Sequence, residues 1–444
     1  MTDAIQPPTP ATAPPVNPMV ELMRPPQSLA ELDVPASMLI DMILKILFNE
    51  GIVSLKRISE ITRLEPQLID EVLSKLQNEK LVEVAQAGQM GRFTYSYNAT
   101  EEGLKRAREA FERTQYVGPM PVPVQKYVRA IELQTSQKLN LTPEQVKQAL
   151  SHLILPDDFH RSIGPAINGG TSLFLYGPPG NGKTTVAEAV GKLLAGSAPG
   201  IWVPYAVTLA GYIISIYDPL LFEPLPLTEN EARFVDKRWG KWKRPSVVVG
   251  GELTMEALEL RYDSISKFYE APLQMKANGG MFLIDDFGRQ MMSPQLLLNR
   301  WIVPLETGID FLRLRTGQAL QIPFRQLIVF STNLDPNELV DGAFLRRIQM
   351  KVAVTSPDDR MFFQIFVNMA KQYGIIMEKE GFQYLVQKWY REPKRKMQSV
   401  HPRDLCKIIR QICEYTGEEP RLTPELVDEA CRNYFVDSNA AKDW

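Results

Sequence analysis

Leu173-Phe174-Leu175-Tyr176-Gly177-Pro178-Pro179-Gly180-Asn181-Gly182-Lys183-Thr184-Thr185 decides how this chain is read. An apolar strand runs straight into a glycine turn, and Val186 to Leu194 continue at helical spacing. Residues 177–185 satisfy G-x-x-x-x-G-K-[ST]. Glycines let successive backbone N–H groups turn inward around phosphate oxygens. The N-terminus of the following helix adds a positive partial charge. The pattern assigns Gly177, Pro178, Pro179, Gly180, Asn181, Gly182, Lys183, Thr184 and Thr185 to a phosphate cradle. Lys183 is placed to reach the β- and γ-phosphates of ATP, and the Thr184 hydroxyl to ligate Mg²⁺. A chain of this length meets the bare pattern by chance about one time in a hundred. The strand before it and the helix after it lower that further.

Met281-Phe282-Leu283-Ile284 is a second buried strand, and it ends in Asp285-Asp286. A carboxylate at such a strand end can hold the Mg²⁺ shell, and a second can polarise an attacking water. Asp285 is assigned to the metal and Asp286 to the water. Asp286-Phe287-Gly288 also spells a protein-kinase triplet, but no kinase catalytic-loop motif precedes it.

The chain has 444 residues, 44% of them hydrophobic, enough for two to four domains with real cores. Its formal net charge is −2, so any grip on nucleic acid or anionic lipid must come from a local patch. Cys406, Cys413 and Cys431 have no metal-ligand spacing and read as small buried hydrophobes of a reducing compartment. The three scattered histidines argue against a zinc site. The N-terminus lacks the pattern of a signal peptide. Ile201 to Tyr217 is uncharged, but it contains Pro204 and Gly211 and is too short to span a bilayer. A cytoplasmic protein with no membrane insertion is expected.

Residues 1–36 form a Pro-rich tail expected to be disordered. Residues 37–112 read as helix, helix, helix, hairpin, helix, which resembles a winged helix-turn-helix domain. Residues 113–140 read as a linker. From 141 to 356 short apolar strands alternate with helical segments, the signature of an α/β core with a parallel sheet. Residues 357–444 read as a helical lid. The two motifs lie about a hundred residues apart, which implies an insertion near 201–275.

Together these residues resemble the AAA+ ATPases over about 140–440. Leu327 to Asn333 looks like the strand ending in the polar sensor-1 residue, Asn333. Asp341 to Ile348 resembles the segment carrying the arginine finger, with Arg347 first choice and Arg346 second. His401-Pro402-Arg403-Asp404-Leu405 resembles the start of the sensor-2 helix, with Arg403 as sensor. Ile309 to Pro323 looks like the β-hairpin that some clades insert before sensor 1. The resemblance implies ATP hydrolysis with Mg²⁺ in a ring oligomer, usually a hexamer, with the finger reaching a neighbour's site. It also places the adenine pocket near Ile154 to Ile163. One departure is Asp286, where the family mostly has Glu. FLYGPPGNGKTT and LIDDFGR are similar to a poorly characterised bacterial group of predicted chaperone-type ATPases linked to Flp pilus assembly.

Lys237-Arg238-Trp239-Gly240-Lys241-Trp242-Lys243-Arg244 is the most basic stretch. Its two readings are a loop gripping a substrate and a loop whose tryptophans pack on their own domain. Tyr212 to Tyr217 and Phe268-Tyr269 are candidate pore residues, with buried packing the commoner fate. The candidate recognition helix, Glu65 to Lys80, is acidic and would repel phosphates. An ATPase motor that remodels protein clients is therefore the favoured reading. The alternatives are a DNA-acting regulator and a nucleotide-binding scaffold with negligible turnover.

Overall fold

The computed structural model describes residues 18–88, 91–136, 139–156, 159–339 and 342–435. Its centre is a five-stranded parallel sheet flanked by helices. In chain order its elements are β1 (Ser172–Tyr176), α1 (Lys183–Ser197), β2 (Ser246–Val249), β3 (Met281–Ile284), α2 (Pro294–Thr307), β4 (Leu327–Thr332) and β5 (Met350–Ala353). The strand order is β2-β3-β4-β1-β5. Parallel strands covered on both faces carry continuous apolar runs rather than alternating ones. The pleat still sorts them. Leu173, Leu175, Met281, Leu283, Leu327 and Val329 pack on one face with Val186 and Val190 of α1. Phe174, Phe282, Ile284, Ile328 and Phe330 pack on the other with Trp301 of α2. The expected α/β core is what the chain forms.

The lid follows as α3 (Asp359–Tyr373), α4 (His401–Thr416) and α5 (Pro424–Tyr434), with a shorter helix, Lys379–Tyr384, that widens into a π-turn over Leu385–Arg391. Asp358 and Thr423 cap α3 and α5 by accepting from the N–H groups of Met361 and Leu426. Phe362, Phe366, Leu405 and Ile409 fill its core together with all three cysteines. Burial pushes the thiols of Cys406 and Cys431 up to about 12, so they are apolar filling.

The N-terminal unit has helices Ala36–Glu50, Leu55–Thr62, Pro66–Asn78 and Glu101–Arg113 around a three-stranded antiparallel sheet. Thr100 caps the last helix, as its position implies. The second hairpin strand is Ser96–Ala99, and Arg92–Thr94 close a 3₁₀ turn before it.

Two expectations are corrected by tertiary contacts. Only residues 1–17 of the tail 1–36 lie outside the described residues. Pro18–Leu22 form a helix, and Met23 is buried among Val122, Val203 and Trp239. The segment 113–140 is no free linker. Val122–Pro123 pairs in parallel with Ala206–Leu209, and Tyr127 of the helix Val124–Thr135 is fully buried. The insertion is a second sheet, with strands Arg261–Tyr262, Tyr269–Glu270, Tyr212–Ser215 and Ala206–Leu209, and Val122–Pro123 at its edge. These short pieces each lack enough apolar surface to fold alone and gain it only together. The hairpin Ile309–Arg313/Ala319–Pro323 also packs here, through Leu312, Leu320 and Ile322.

The basic stretch belongs to this packing. Trp239 and Trp242 are buried in a strand paired with Ile201–Pro204, and Tyr217 stacks on Trp242 at 5.1 Å. Tyr269 is buried as well. Arg238 is wholly buried and binds Asp236 at 2.7 Å and Asp33 at 2.8 Å. Lys237 pairs with Glu65 at 3.0 Å, joining the insertion to the N-terminal unit.

Candidate functional site

The turn between β1 and α1 holds Gly177 at φ 139, Gly180 at φ 73 and Gly182 at φ 88, where side-chain-bearing residues are strained. A Cβ on Gly177 would lie 2.3 Å from the Val354 carbonyl oxygen. The Lys183 ammonium folds over the turn and donates to the carbonyls of Gly177 (2.9 Å) and Pro178 (2.8 Å). Burial lowers its pKa, while Asp286 and Asp285 oppose that. The Thr184 hydroxyl donates to Asp285, 3.0 Å from Oδ1 and 2.9 Å from Oδ2, across 101 residues of sequence. Register puts them together: β3 lies two strands from β1, and both end at the same edge of the sheet.

Asp286 sits at φ 48, in the left-handed region. Such a backbone costs about 1–3 kcal/mol and persists only where neighbours impose it. Phe287 does so. Its ring is buried against Phe174 and Phe330, its N–H donates to Ser331, and its carbonyl accepts from Thr332 Oγ1. The Asp286 carboxylate is thereby turned out toward Asn333, whose Nδ2 donates to Oδ1 at 2.9 Å. Gln290 ties the same turn by donating to the carbonyls of Asp285 and Asp286.

A cavity of about 660 Å³ opens above these groups. Lys183, Thr184, Asp286, Asn333 and Arg403 line it. So do Ile154 and Leu155 from the segment expected to face a base, whereas Phe159 and Ile163 are buried in the sheet's helical layer instead. Residues 157 and 158 lie outside the described residues. The opposite wall is α3 of the lid, through Ile365, Asn368, Met369, Gln372 and Tyr373. Sequence reasoning missed this wall, and also Gln290. It missed the seam between loop and lid too. There Asn181 Oδ1 accepts from the N–H of Ser399 at 3.1 Å, and Gly180 O from that of Val400 at 2.8 Å. Gln290, Ser399, Val400 and the residues of α3 belong to no local motif.

Arg403 is exposed and donates to Asp404 at 2.9 Å. Arg346 and Arg347 do not line the cavity. Arg347 pairs with Glu306 at 2.6 Å, and Arg346 donates to the Gly342 carbonyl at 3.3 Å. Asp341 of that segment lies outside the described residues. Among the described residues no cluster of three or more His, Cys, Asp or Glu could hold a metal ion. No described helix is long and apolar enough to cross a membrane.

No curated protein matches the chain. A family profile described as a domain of unknown function (DUF8689) matches residues 358–433, within the lid. Solved structures similar to this chain include NtrX from Brucella abortus in complex with ADP, at 12% identity and a TM-score of 0.39 over 73% of this chain and 65% of that one. The chain thus spans slightly less than two thirds of that NtrX chain. The RuvB Holliday junction branch migration motor of Thermotoga maritima is 14% identical, with a TM-score of 0.35 over 68% of this chain and 74% of that one. A complex between subunits BchI and BchD of magnesium chelatase gives 16% and 0.32, over 66% and 92%. These scores are too low to carry a functional argument.

Proposed function

We propose that this chain binds ATP in the 660 Å³ cavity and hydrolyses it, as an AAA+ type motor acting on protein clients in a ring. The observation that carries this reading is the convergence of Thr184, Asp285, Asp286 and Asn333 beside a glycine-turned loop and its lysine. Lys183 exchanges its two carbonyl partners for β- and γ-phosphate oxygens, a stronger charge-assisted contact. A hydroxyl and a carboxylate 2.9–3.0 Å apart are the hard oxygen donors that Mg²⁺ takes while keeping several waters. Bound there, the ion would neutralise charge on the β- and γ-phosphate oxygens. Asp286, held by Asn333, orients water toward the γ-phosphorus. A bond forms from the water oxygen, the bond to the bridging oxygen breaks, and ADP and phosphate leave. Arg403 reaches the cavity from the lid and reads the phosphates.

The base sits between residues 152–155 and α3 of the lid. Arg347 or Arg346 acts on the site of a neighbouring copy. That neither lines this chain's own cavity is compatible with such a role, and a hexamer is the assembly the resemblance implies. The N-terminal unit, read as a winged helix-turn-helix, docks protein rather than DNA. In support, the segment Glu65 to Lys80 carries more acidic than basic residues, and Glu65 and Asp70 are engaged by Lys237 and Arg92. Salt-dependent DNA binding by the full chain would reverse that preference.

The test is nucleotide binding beside phosphate release. Lys183→Ala should lose retention of labelled ATP. Asp286→Ala should retain ATP and release no phosphate above background. Unchanged phosphate release in Asp286→Ala removes that residue from the mechanism, and unchanged retention in Lys183→Ala removes the cradle.

A further inference from the structure

Arg244 closes the basic stretch, and the proposed ATPase makes no use of it. It is 9% exposed. Its Nε donates to the Pro199 carbonyl at 2.9 Å and its Nη1 to the Gly279 carbonyl. That leaves the Nη2 amino group and one N–H of Nη1 uncommitted. Among the described residues no carboxylate pairs with it, and burial alone lowers its pKa from the usual value. Arginine is rarely buried without a counter-charge, because desolvating a cation costs several kcal/mol. Arg238, six positions earlier in the same stretch, shows the ordinary solution: buried more deeply still, it has two aspartates.

Arg244 lines a cavity of about 120 Å³ shared with Arg325, Asn168, Thr135, Gly279 and Gly280. No Asp or Glu is among its lining residues. A single water needs about 10–15 Å³ by this measure, so there is room for a small polyatomic ion. The wall is built by close backbone approach. A Cβ on Gly279 would lie 2.0 Å from Ile201 Cδ1, and one on Gly280 1.9 Å from the Pro245 carbonyl. Asn168 is committed to both backbone groups of Leu141, which fixes that side. Arg325 is exposed, its guanidinium rests over Gly308 at the edge of the cavity, and no ion pair holds it there among the described residues, so it is free to turn toward an anion.

We propose that this cavity is an anion site, and that it takes one tetrahedral oxyanion of the phosphate class between Arg244 and Arg325. The site is separate from the nucleotide cradle. Gly279 and Gly280 lead into β3, and Asp285 stands at its other end, roughly 16 Å away at 3.3 Å per residue. The bound anion supplies the counter-charge Arg244 lacks and holds Pro199, Gly279 and the start of β3 together.

The test uses labelled orthophosphate and the full chain carrying Lys183→Ala, so that the cradle does not compete. Expected are one bound phosphate per chain, displacement by sulfate, and no displacement by chloride at matched ionic strength. On that background Arg244→Gln, which keeps an amide donor near the Pro199 carbonyl but removes the charge, weakens binding at least tenfold. Arg325→Gln, at an exposed position, weakens it by a similar factor and carries the test should Arg244→Gln not fold. No binding in the Lys183→Ala chain overturns the proposal. So does undiminished affinity in folded Arg244→Gln, or in Arg325→Gln where Arg244→Gln does not fold.

Discussion

Replacing Arg238 by alanine removes the cation on which three separate segments converge. Its Nε and Nη2 bind Asp236 at 2.9 and 2.7 Å. Its Nη1 and Nη2 bind Asp33 at 2.8 and 3.2 Å, and Nη1 also reaches the Pro121 carbonyl at 3.2 Å. Asp236 is 2% exposed, so its carboxylate would be left buried and uncompensated. Breaking a buried pair in this way costs about 3–5 kcal/mol. That is a large share of the 5–15 kcal/mol or so that holds a typical domain. The expected result at pH 8 is a large drop in the urea midpoint of the transition seen by Trp239 and Trp242 fluorescence. Asp33 is desolvated, yet Arg238 and Lys126 together hold its pKa below the usual value. Its contribution is therefore full above about pH 4 and lost only below it. A cost under about 1 kcal/mol at pH 8 would refute the packing argument and restore the basic stretch as a substrate grip.

Burial, reinforced by Arg395 and opposed by Asp404, lowers the His401 pKa to about 4. The unfolded chain then binds more protons between pH 6.5 and 4, so lid stability should fall across that window as acid is added and stay flat above it. A melting temperature no lower at pH 5 than at pH 7.5 would contradict this. Asn333→Ala releases the Asp286 carboxylate and should lower kcat about tenfold to a hundredfold with KM little changed, as expected for loss of orientation. An unchanged kcat removes Asn333 from the site. Gly177→Ala forces a Cβ to 2.3 Å from the Val354 carbonyl at φ 139, which should weaken nucleotide retention by an order of magnitude or more. Parent-like retention would mean the loop tolerates a different backbone.

Contiguous residues wrote most of the site. The strand, glycine turn and helix around Lys183 are set by φ preferences and apolar runs, and both are local properties. Asp285, Asp286 and Asn333 were legible for the same reason: each follows a short, fully buried strand, and parallel strands bring such ends to one edge. The helices of the N-terminal unit and of the lid were read from local pattern as well. What sequence could not decide was which distant pieces share a core. Met23, Tyr127, Ile201 and Trp242 come from four segments that looked like a tail, a linker and an insertion. Each buries its apolar surface only against the others, so no single segment shows it. The same holds for charge. Arg238 and Arg244 are alike in sequence, and only the fold gives one of them two aspartates and the other none. It also brings α3 and Ser399 of the lid to a cradle more than 170 residues away. Pairing, burial and counter-charge depend on contacts across the chain, and those exist only once the sheet and lid have closed.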